Sequence, residues 1–446
     1  MSGINDLAPM ADASVTRSRR NTGRFLVLLD TDDMERGLTA LHSRAGLASA
    51  EHVRGMDASS RAEALSGAGT VVLDDLGVAI VEANPDQRGA LRTAVAAVPS
   101  LLRVEPERVL YAAPTNDYLR GYQDGVADAI YRVTGPIDGT VGQSGPQRAQ
   151  AIPAPEWDES RVTWGVQEVL GTETRYTGQQ VGVAVLDTGA DLNHPDFSSR
   201  IAGAESFVPE EVVDDGSPSG HGTHCVGTAC GPKVPAGGPR YGVAPEVEIY
   251  VGKVLSNQEW GEEGWVLSGI DWAVREKNIK IVSMSLSQPV GPDEAYSVIF
   301  EGIARRALRR GTLIVAAAGN ESERPLLIAP VGHPANCPSV LAVGAIARDR
   351  TIAPFSCAGL NPDGGTIDLV APGVDVLSAS VGGGYRRLSG TSMATPHVAG
   401  VAALFWQQKG TNWTAQEIKN LLKSNARPMG LSEPDGGSGL VQAPLG

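Results

Sequence analysis

Aromatic residues make up only 5% of this 446-residue chain, and there are just four cysteines. So few cysteines over that length exclude a disulfide-built scaffold. Cys225 and Cys230 fall on one predicted helix, a poor geometry for a bridge, and Cys337 and Cys357 stand alone in their segments. All four are expected to be free thiols. No apolar run approaches membrane-spanning length and mean hydropathy is near zero, so no membrane span is expected. Positive charge is also in deficit. The chain has 37 Lys and Arg against 51 Asp and Glu, a formal charge of −14, which argues against nucleic acids and anionic membranes as partners. The start, MSGINDLAPMADASVTRSRRNTG, holds no apolar core of signal-peptide length. Residues 1–23 read as a disordered arm, and the expected location is cytoplasmic, with secretion by another route as the alternative. Glycine, by contrast, is abundant at 54 residues. That fits a turn-rich α/β fold of small residues, and the length allows two or three domains.

The most informative stretch is GTSMATPHVAG. It sets Ser392 between a Gly-Thr turn and the apolar helix AGVAALFW. A serine there lies among unpaired N–H groups and the positive end of a helix dipole, a setting that suits attack on a carbonyl. Alone, the same pattern is equally an ordinary helix cap. A nucleophilic serine needs a base, and the base needs an orienting group. VGVAVLDTGADLNHPDF reads as a buried strand ending in Asp187, where open α/β sheets place their sites. By itself this is a turn aspartate. GHGTHCVGTACG puts His221 and His224 at the start of a small-residue helix. Their i, i+3 spacing, with no intervening Glu and no evident third ligand, speaks against a metal half-site. TLIVAAAGN runs a buried strand into Asn320, which either shapes a turn or donates its amide to a developing oxyanion.

The segments VLDTG, GHGTHCVGT, AAAGN and GTSMATPHVAG, in that order, resemble the subtilisin family of serine proteases. YGVAPEVEIYVGKVL, IVSMSLS, DLVAPGVDVLSA and others extend the resemblance over residues 162–446. It implies a subtilisin-like three-layer α/β domain with a mainly parallel sheet over 161–446. By motif position, Asp187 orients His221, and His221 is the general base and then the general acid. Ser392 is the nucleophile, and Asn320 forms the oxyanion hole with the Ser392 backbone N–H. Such an amide donor in subtilisin itself contributes about 3 kcal/mol of transition-state stabilisation. His224 and His397 take packing roles. Ser285, Leu286 and Ser287, with Ala317, Ala318 and Gly319, match the walls of the family's specificity pocket, and Gly332 matches its floor. A floor without a side chain leaves depth for a large apolar residue, while Ser287, in place of the usual glycine, narrows the entrance. Gly261 lies with Trp260, Glu262 and Glu263 in the loop of the outer subsites. The two acids read first as a solvated charge pair, and second as a preference for basic residues two to four positions upstream of the cut. His333-Pro334 is expected to be cis. Cys225, directly after HGTH, is expected beneath the histidine and to bring sensitivity to mercurials. Asp196 matches a calcium ligand of the family. The loop that would complete the site, GPKVPAGGPRYG, has no Asn or Asp, and calcium takes six to eight oxygens. This site is therefore expected to be lost or weak, and no cofactor is expected to be required.

Residues 24–113 read as a separate unit. RFLVLLD, TVVLDD, GVAIVEA and RVLYAA are strands, while MERGLTALHSRAG and DQRGALRTAVAAVPS are helices. The order β-α-β-β-α-β is the ferredoxin-like split pattern of a small α+β domain. It resembles the inhibitory propeptide of subtilisin-like proteases, with a generic binding module as the alternative. The resemblance implies docking in the active-site groove, with the segment from Arg108 to Pro114 on the non-primed side. Residues 114–160 depart from the family pattern. DYLRGYQDGVADAIYRV is a candidate helix, and a Gly/Pro/Gln-rich linker follows. The cut therefore falls near Tyr111 to Ala113, or in the linker, or is absent; the insert is a passive spacer or a latch. The expected function is that of a serine endopeptidase, made as a zymogen and acting on polypeptides through an acyl-enzyme. Two alternatives are a transpeptidase or macrocyclase on the same triad and a non-catalytic binding protein. The chain has no clear lid insert for the first, and its four matched positions oppose the second.

Overall fold

The structure is a computed structural model that describes residues 21–67, 69–112, 156–410 and 412–445. The candidate helix of the insert and most of the linker lie outside the described residues.

The N-terminal unit runs β1 (Asn21–Leu29), α1 (Met34–Ala45), β2 (Ala50–His52), α2 (Ala58–Ser66), β3 (Thr70–Leu73), β4 (Val78–Val81), α3 (Pro85–Ala97) and β5 (Leu101–Ala112). Its sheet order is β5-β1-β4-β3-β2. The split pattern is therefore present, with β2 and α2 inserted between the first helix and the second predicted strand. Those two were not legible because β2 is only three residues long and α2 has little apolar periodicity. Helix α3 begins where the sequence marks it. Asn84 caps the Gln87 N–H, the Gln87 side chain returns the bond, and Pro85 opens the first turn.

Alternate residues of this sheet face two different cores. Val27 and Leu29 pack with Leu38, Leu41 and Leu91 of α1 and α3. Leu26, Leu28, Leu73 and Ile80 turn the other way, into a cluster shared with the larger domain. A sheet that is apolar on both faces cannot bury both with its own helices. The second face is covered by two helices of the following domain.

That domain contains α4 (Trp164–Glu168), β6 (Gly182–Asp187), β7 (Ile201–Ser206), α5 (His221–Cys230), β8 (Glu248–Lys253), β9 (Trp260–Glu262), α6 (Glu263–Arg275), β10 (Ile279–Met284), β11 (Leu286–Ser287), α7 (Val298–Arg310), β12 (Leu313–Ala317), β13 (Leu341–Ile346), β14 (Leu369–Pro372), β15 (Val376–Ser380), β16 (Gly384–Leu388), α8 (Thr391–Lys409), α9 (Ala415–Ser424) and α10 (Glu433–Gly436). The main sheet, β14-β13-β12-β10-β6-β8-β7, pairs in parallel throughout. Its central strands are continuous apolar runs because both faces are covered. Helices α5 and α8 pack in the core on one face, and α6 and α7 in the core on the other. After β6 the chain moves to β7 and β8 on one side, then crosses to β10 and β12 on the other. The crevice of an open α/β sheet lies at such a reversal, at the carboxyl ends of the strands. Among the described residues, no helix is long and apolar enough to cross a membrane.

Candidate active site

Asp187 is the last residue of β6, and His221 is the first of α5. Both are fully buried. Asp187 Oδ1 lies 2.7 Å from His221 Nδ1 and also accepts the Thr188 N–H at 2.7 Å. These two bonds set the plane of the carboxylate and the tilt of the ring. Burial alone would lower the His221 pKa, but the Asp187 carboxylate carries it well above the ordinary 6.5. Its Nε2 is buried and has no hydrogen-bond partner.

Ser392 is the second residue of α8, which starts after Gly390. Its Oγ donates to the Ser285 carbonyl at 3.2 Å, and Ser285 Oγ donates to the Ser392 carbonyl at 2.7 Å. The expected hydrogen bond from Ser392 to His221 is not formed: the serine hydroxyl points at Ser285, and His221 Nε2 has no partner. Cys225 ties the two together. Its Sγ lies 4.0 Å from His221 Nδ1 and donates to the Ser392 carbonyl at 3.6 Å.

Asn320 follows β12 across a two-residue turn. Thr391 fills its Oδ1 with a backbone N–H and a hydroxyl, leaving Nδ2 buried and without a partner. An amide held on its acceptor side and free on its donor side presents a hydrogen to whatever oxygen arrives. Thr391 escaped the sequence reading. The only available signal was its place beside Ser392 in the GTS turn.

His224 and His397 are held elsewhere. His224 Nε2 bonds the Val376 carbonyl at 3.0 Å, and burial lowers its pKa to about 3. His397 Nδ1 bonds the Met393 carbonyl at 2.8 Å and, by burial, is lowered to about 4. Both stay neutral and serve packing. The four cysteines are free and buried. Burial raises the Cys225 pKa above its ordinary value although His221 opposes the rise, so the group is a thiol at neutral pH.

Asp196 does not suit calcium. Its Oδ1 accepts the Ala236 N–H at 2.6 Å, and its Oδ2 accepts the Tyr241 and Tyr385 hydroxyls at 2.7 and 2.9 Å. Donors surround a carboxylate that calcium would need to find among acceptors.

The residues expected to wall the groove lie on β9, at β11 and at or just after the end of β12. Of the residues expected to form the pocket, Gly332 donates its N–H to the Ala318 carbonyl at 2.9 Å. A Cβ on Gly332 would lie 2.9 Å from the Gln288 carbonyl oxygen. At Gly261 a Cβ would lie 2.2 Å from the Val254 oxygen, so only glycine lets β9 run this close. His333-Pro334 is cis as expected, and Arg324-Pro325 is also cis.

The N-terminal unit reaches both β9 and β11. The second half of β5 pairs antiparallel with both edges. Ala112 and Tyr111 lie opposite Leu286 and Ser287, while Tyr111, Leu110 and Val109 lie opposite Trp260, Gly261 and Glu262. The Ala112 N–H also reaches the Glu259 carbonyl at 2.9 Å. Two acids on the same strand meet helix N-termini. Glu107 accepts the Gly264 N–H of α6 at 2.9 Å, and Glu105 accepts the Val298 N–H of α7 at 3.0 Å. Arg24 joins Glu107 to Glu262, at 2.7 and 2.6 Å. The reading of Glu262 and Glu263 as a solvated pair is therefore corrected. Glu262 pairs with Arg24, and Glu263 is fully buried, bonded to His333 and to the Arg108 N–H. The sequence could not show this because both partners are distant in the chain.

Comparison with known proteins agrees with this geometry. The Subtilase family profile matches residues 178–442. The chain is 40% identical over 274 residues to subtilisin from Bacillus pumilus, covering 61% of this chain and 94% of that one. It is 38% identical over 274 residues to subtilisin E from Bacillus subtilis (strain 168), covering 61% and 68%. An intracellular serine protease from Paenibacillus polymyxa is 38% identical over 274 residues, covering 59% and 79%. The chain belongs to the subtilase family of subtilisin-like serine proteases.

Proposed function

We propose that this chain is a serine endopeptidase that its own N-terminal domain holds as a zymogen. The observation that carries the chemistry is the Asn320 amide, held by Thr391 on one side and with its Nδ2 unpartnered on the other. In this reading the Ser392 hydroxyl turns from the Ser285 carbonyl towards His221 Nε2. His221 takes the proton as Oγ bonds to the substrate carbonyl carbon. The oxygen becomes an oxyanion between Asn320 Nδ2 and the Ser392 N–H. Asp187 stabilises the imidazolium, which then gives its proton to the leaving amine as the C–N bond breaks. Water, deprotonated by the same ring, releases the acyl group and restores Ser392. Ser285, Leu286 and Ser287, with Ala317, Ala318, Gly319 and Gly332, line the primary pocket, and Gly261 pairs with the substrate backbone further out.

Inhibition by the N-terminal domain, residues 24–113, is supported by the pairing of β5 with both groove edges, the geometry of an extended peptide added to two sheet edges. Trp157 and Glu159, assigned to the 114–160 linker by sequence, pack onto the domain assigned as 161–446. Trp157 Nε1 donates to the Arg348 carbonyl at 3.0 Å, and Glu159 pairs with Arg387 at 3.0 Å. The cut that frees the groove then falls between Ala112 and Trp157. Polypeptides are the substrates, and no calcium is needed at Asp196.

A fluorophosphonate probe is expected to label the processed wild type at Ser392 and to leave Ser392→Ala unlabelled. N-terminal analysis of both proteins locates the cut. A Ser392→Ala protein that is still labelled, or that is cleaved when purified alone, overturns this reading.

A further inference from the structure

We propose that Glu263 and His333 form an outer substrate subsite. It grips the backbone N–H, and favours a cationic side chain, of the residue standing where Arg108 stands in the docked strand. This rests on reading β5 as lying in the substrate groove.

Glu263 opens α6 yet does not cap it. An N–H of its first turn, on Gly264, goes to Glu107 instead. Both Glu263 oxygens turn out of the helix. Oε1 accepts from His333 Nε2 at 3.0 Å, and Oε2 accepts the Arg108 backbone N–H at 3.0 Å. The Arg108 guanidinium lies 3.8 Å from the same Oε2, and 3.4 Å from Glu105 on its own strand. Glu294 adds a further negative charge felt by Arg108.

The charge state of the pair suits this use. Burial pushes the Glu263 carboxyl up, but His333 and Arg108 outweigh it and hold the group below its ordinary value. Burial lowers the His333 pKa, so a neutral imidazole donates to an ionised carboxylate. The subsite therefore carries net negative charge. When β5 leaves, Glu263 keeps His333 but loses the donor to Oε2. A substrate backbone following the same path restores that bond.

The site is also tied to the primary pocket. His333 directly follows Gly332 and exchanges backbone hydrogen bonds with Gln288 at 2.8 and 2.9 Å. This revises the sequence-level idea of a basic preference in two respects. The acid concerned is Glu263 and not Glu262, which faces Arg24. The residue it reads is Arg108, four positions before Ala112, further out than the two to four residues upstream of the cut first considered.

The test uses processed enzyme and four acetylated p-nitroanilides based on residues 108–113. They are Val-Leu-Tyr-Ala-Ala, the same peptide with Arg added in front, one with N-methyl-Arg in front, and one with Glu in front. Adding Arg is expected to raise kcat/KM about tenfold, the scale of one charge-assisted hydrogen bond. N-methylation should abolish the gain, and Glu should fall below Arg. In Glu263→Gln the ratio of the Arg peptide to the short peptide should drop towards one. A wild-type ratio near one, or a gain that survives N-methylation or Glu263→Gln, overturns the proposal. The peptide arm stands even if the variant misfolds. Failure to cleave any of the four peptides overturns the protease reading itself, and this proposal with it.

Discussion

Thr391 grips Asn320 twice, donating its backbone N–H at 2.9 Å and its hydroxyl at 2.8 Å to the same Oδ1. The donor side of the amide is thereby aimed before any substrate arrives. Asn320→Ala is expected to cut kcat by about 10²–10³-fold with little change in KM, as for the equivalent donor in subtilisin itself. Thr391→Val keeps one of the two bonds and should cost about tenfold. Wild-type kcat in both variants would remove the case for an aimed amide.

The pH profile follows from the sign of the His221 shift. The ring must be neutral to accept the serine proton, so activity falls as pH drops through its pKa. Burial lowers that pKa, but the Asp187 carboxylate outweighs it, leaving the value above 6.5. The rising limb of kcat/KM should therefore lie on the alkaline side of a free imidazole. Asp187→Asn removes the main raising charge, so the limb should move to lower pH while kcat drops about 10⁴-fold. Titration of hydrolysis in both proteins checks this; a wild-type limb at or below 6.5 contradicts it.

Glu107 has a fully buried side chain that joins Arg24 to the N-terminus of α6. Glu107→Ala leaves Arg24 without its main partner and the Gly264 N–H unbonded. The docked N-terminal domain should be weakened by about 3 kcal/mol. Activity should appear sooner after processing, measured as the lag before peptide hydrolysis reaches its full rate. The exposed Glu51 serves as control, and Glu51→Ala should leave the lag unchanged.

Cys225 touches the site yet is a buried thiol with a raised pKa. A mercurial should inhibit slowly, and faster as pH rises and the thiolate fraction grows. Cys225→Ala should be resistant. Equal inhibition of variant and wild type would place the reactive group elsewhere.

Asp196 should stabilise the fold without calcium. Asp196→Asn weakens three hydrogen bonds to a carboxylate and should lower stability by about 2 kcal/mol. Thermal melts should show the same loss with calcium and with chelator. A loss seen only in calcium would restore the metal.

Much of the candidate site was legible because it rests on short-range rules. Asp187 ends an apolar run, His221 and Ser392 open helices, and Asn320 follows a strand. Each position is set by where an element starts or stops, and that is written in neighbouring residues. The split β-α-β-β-α-β pattern was legible for the same reason, while β2 and α2 were too short or too polar to register. The acids behaved differently. Glu105, Glu107, Glu262 and Glu263 look alike as letters. One caps α7, one caps α6 and holds Arg24, one pairs with Arg24, and one is buried against His333.

Local sequence was enough for the family and for a small α+β domain ahead of it, and it marked Asp187, His221, Asn320 and Ser392 as candidate positions. Tertiary structure decided what those positions meet. Arg24 and Glu107 are 83 residues apart, Glu263 and His333 are 70 apart, and Glu105 and Val298 are 193 apart. Whether a carboxylate is solvated, paired or buried depends on which distant segment folds against it. For that reason the chain order could mark Ser392 as a candidate, while only the fold could pair β5 with both β9 and β11.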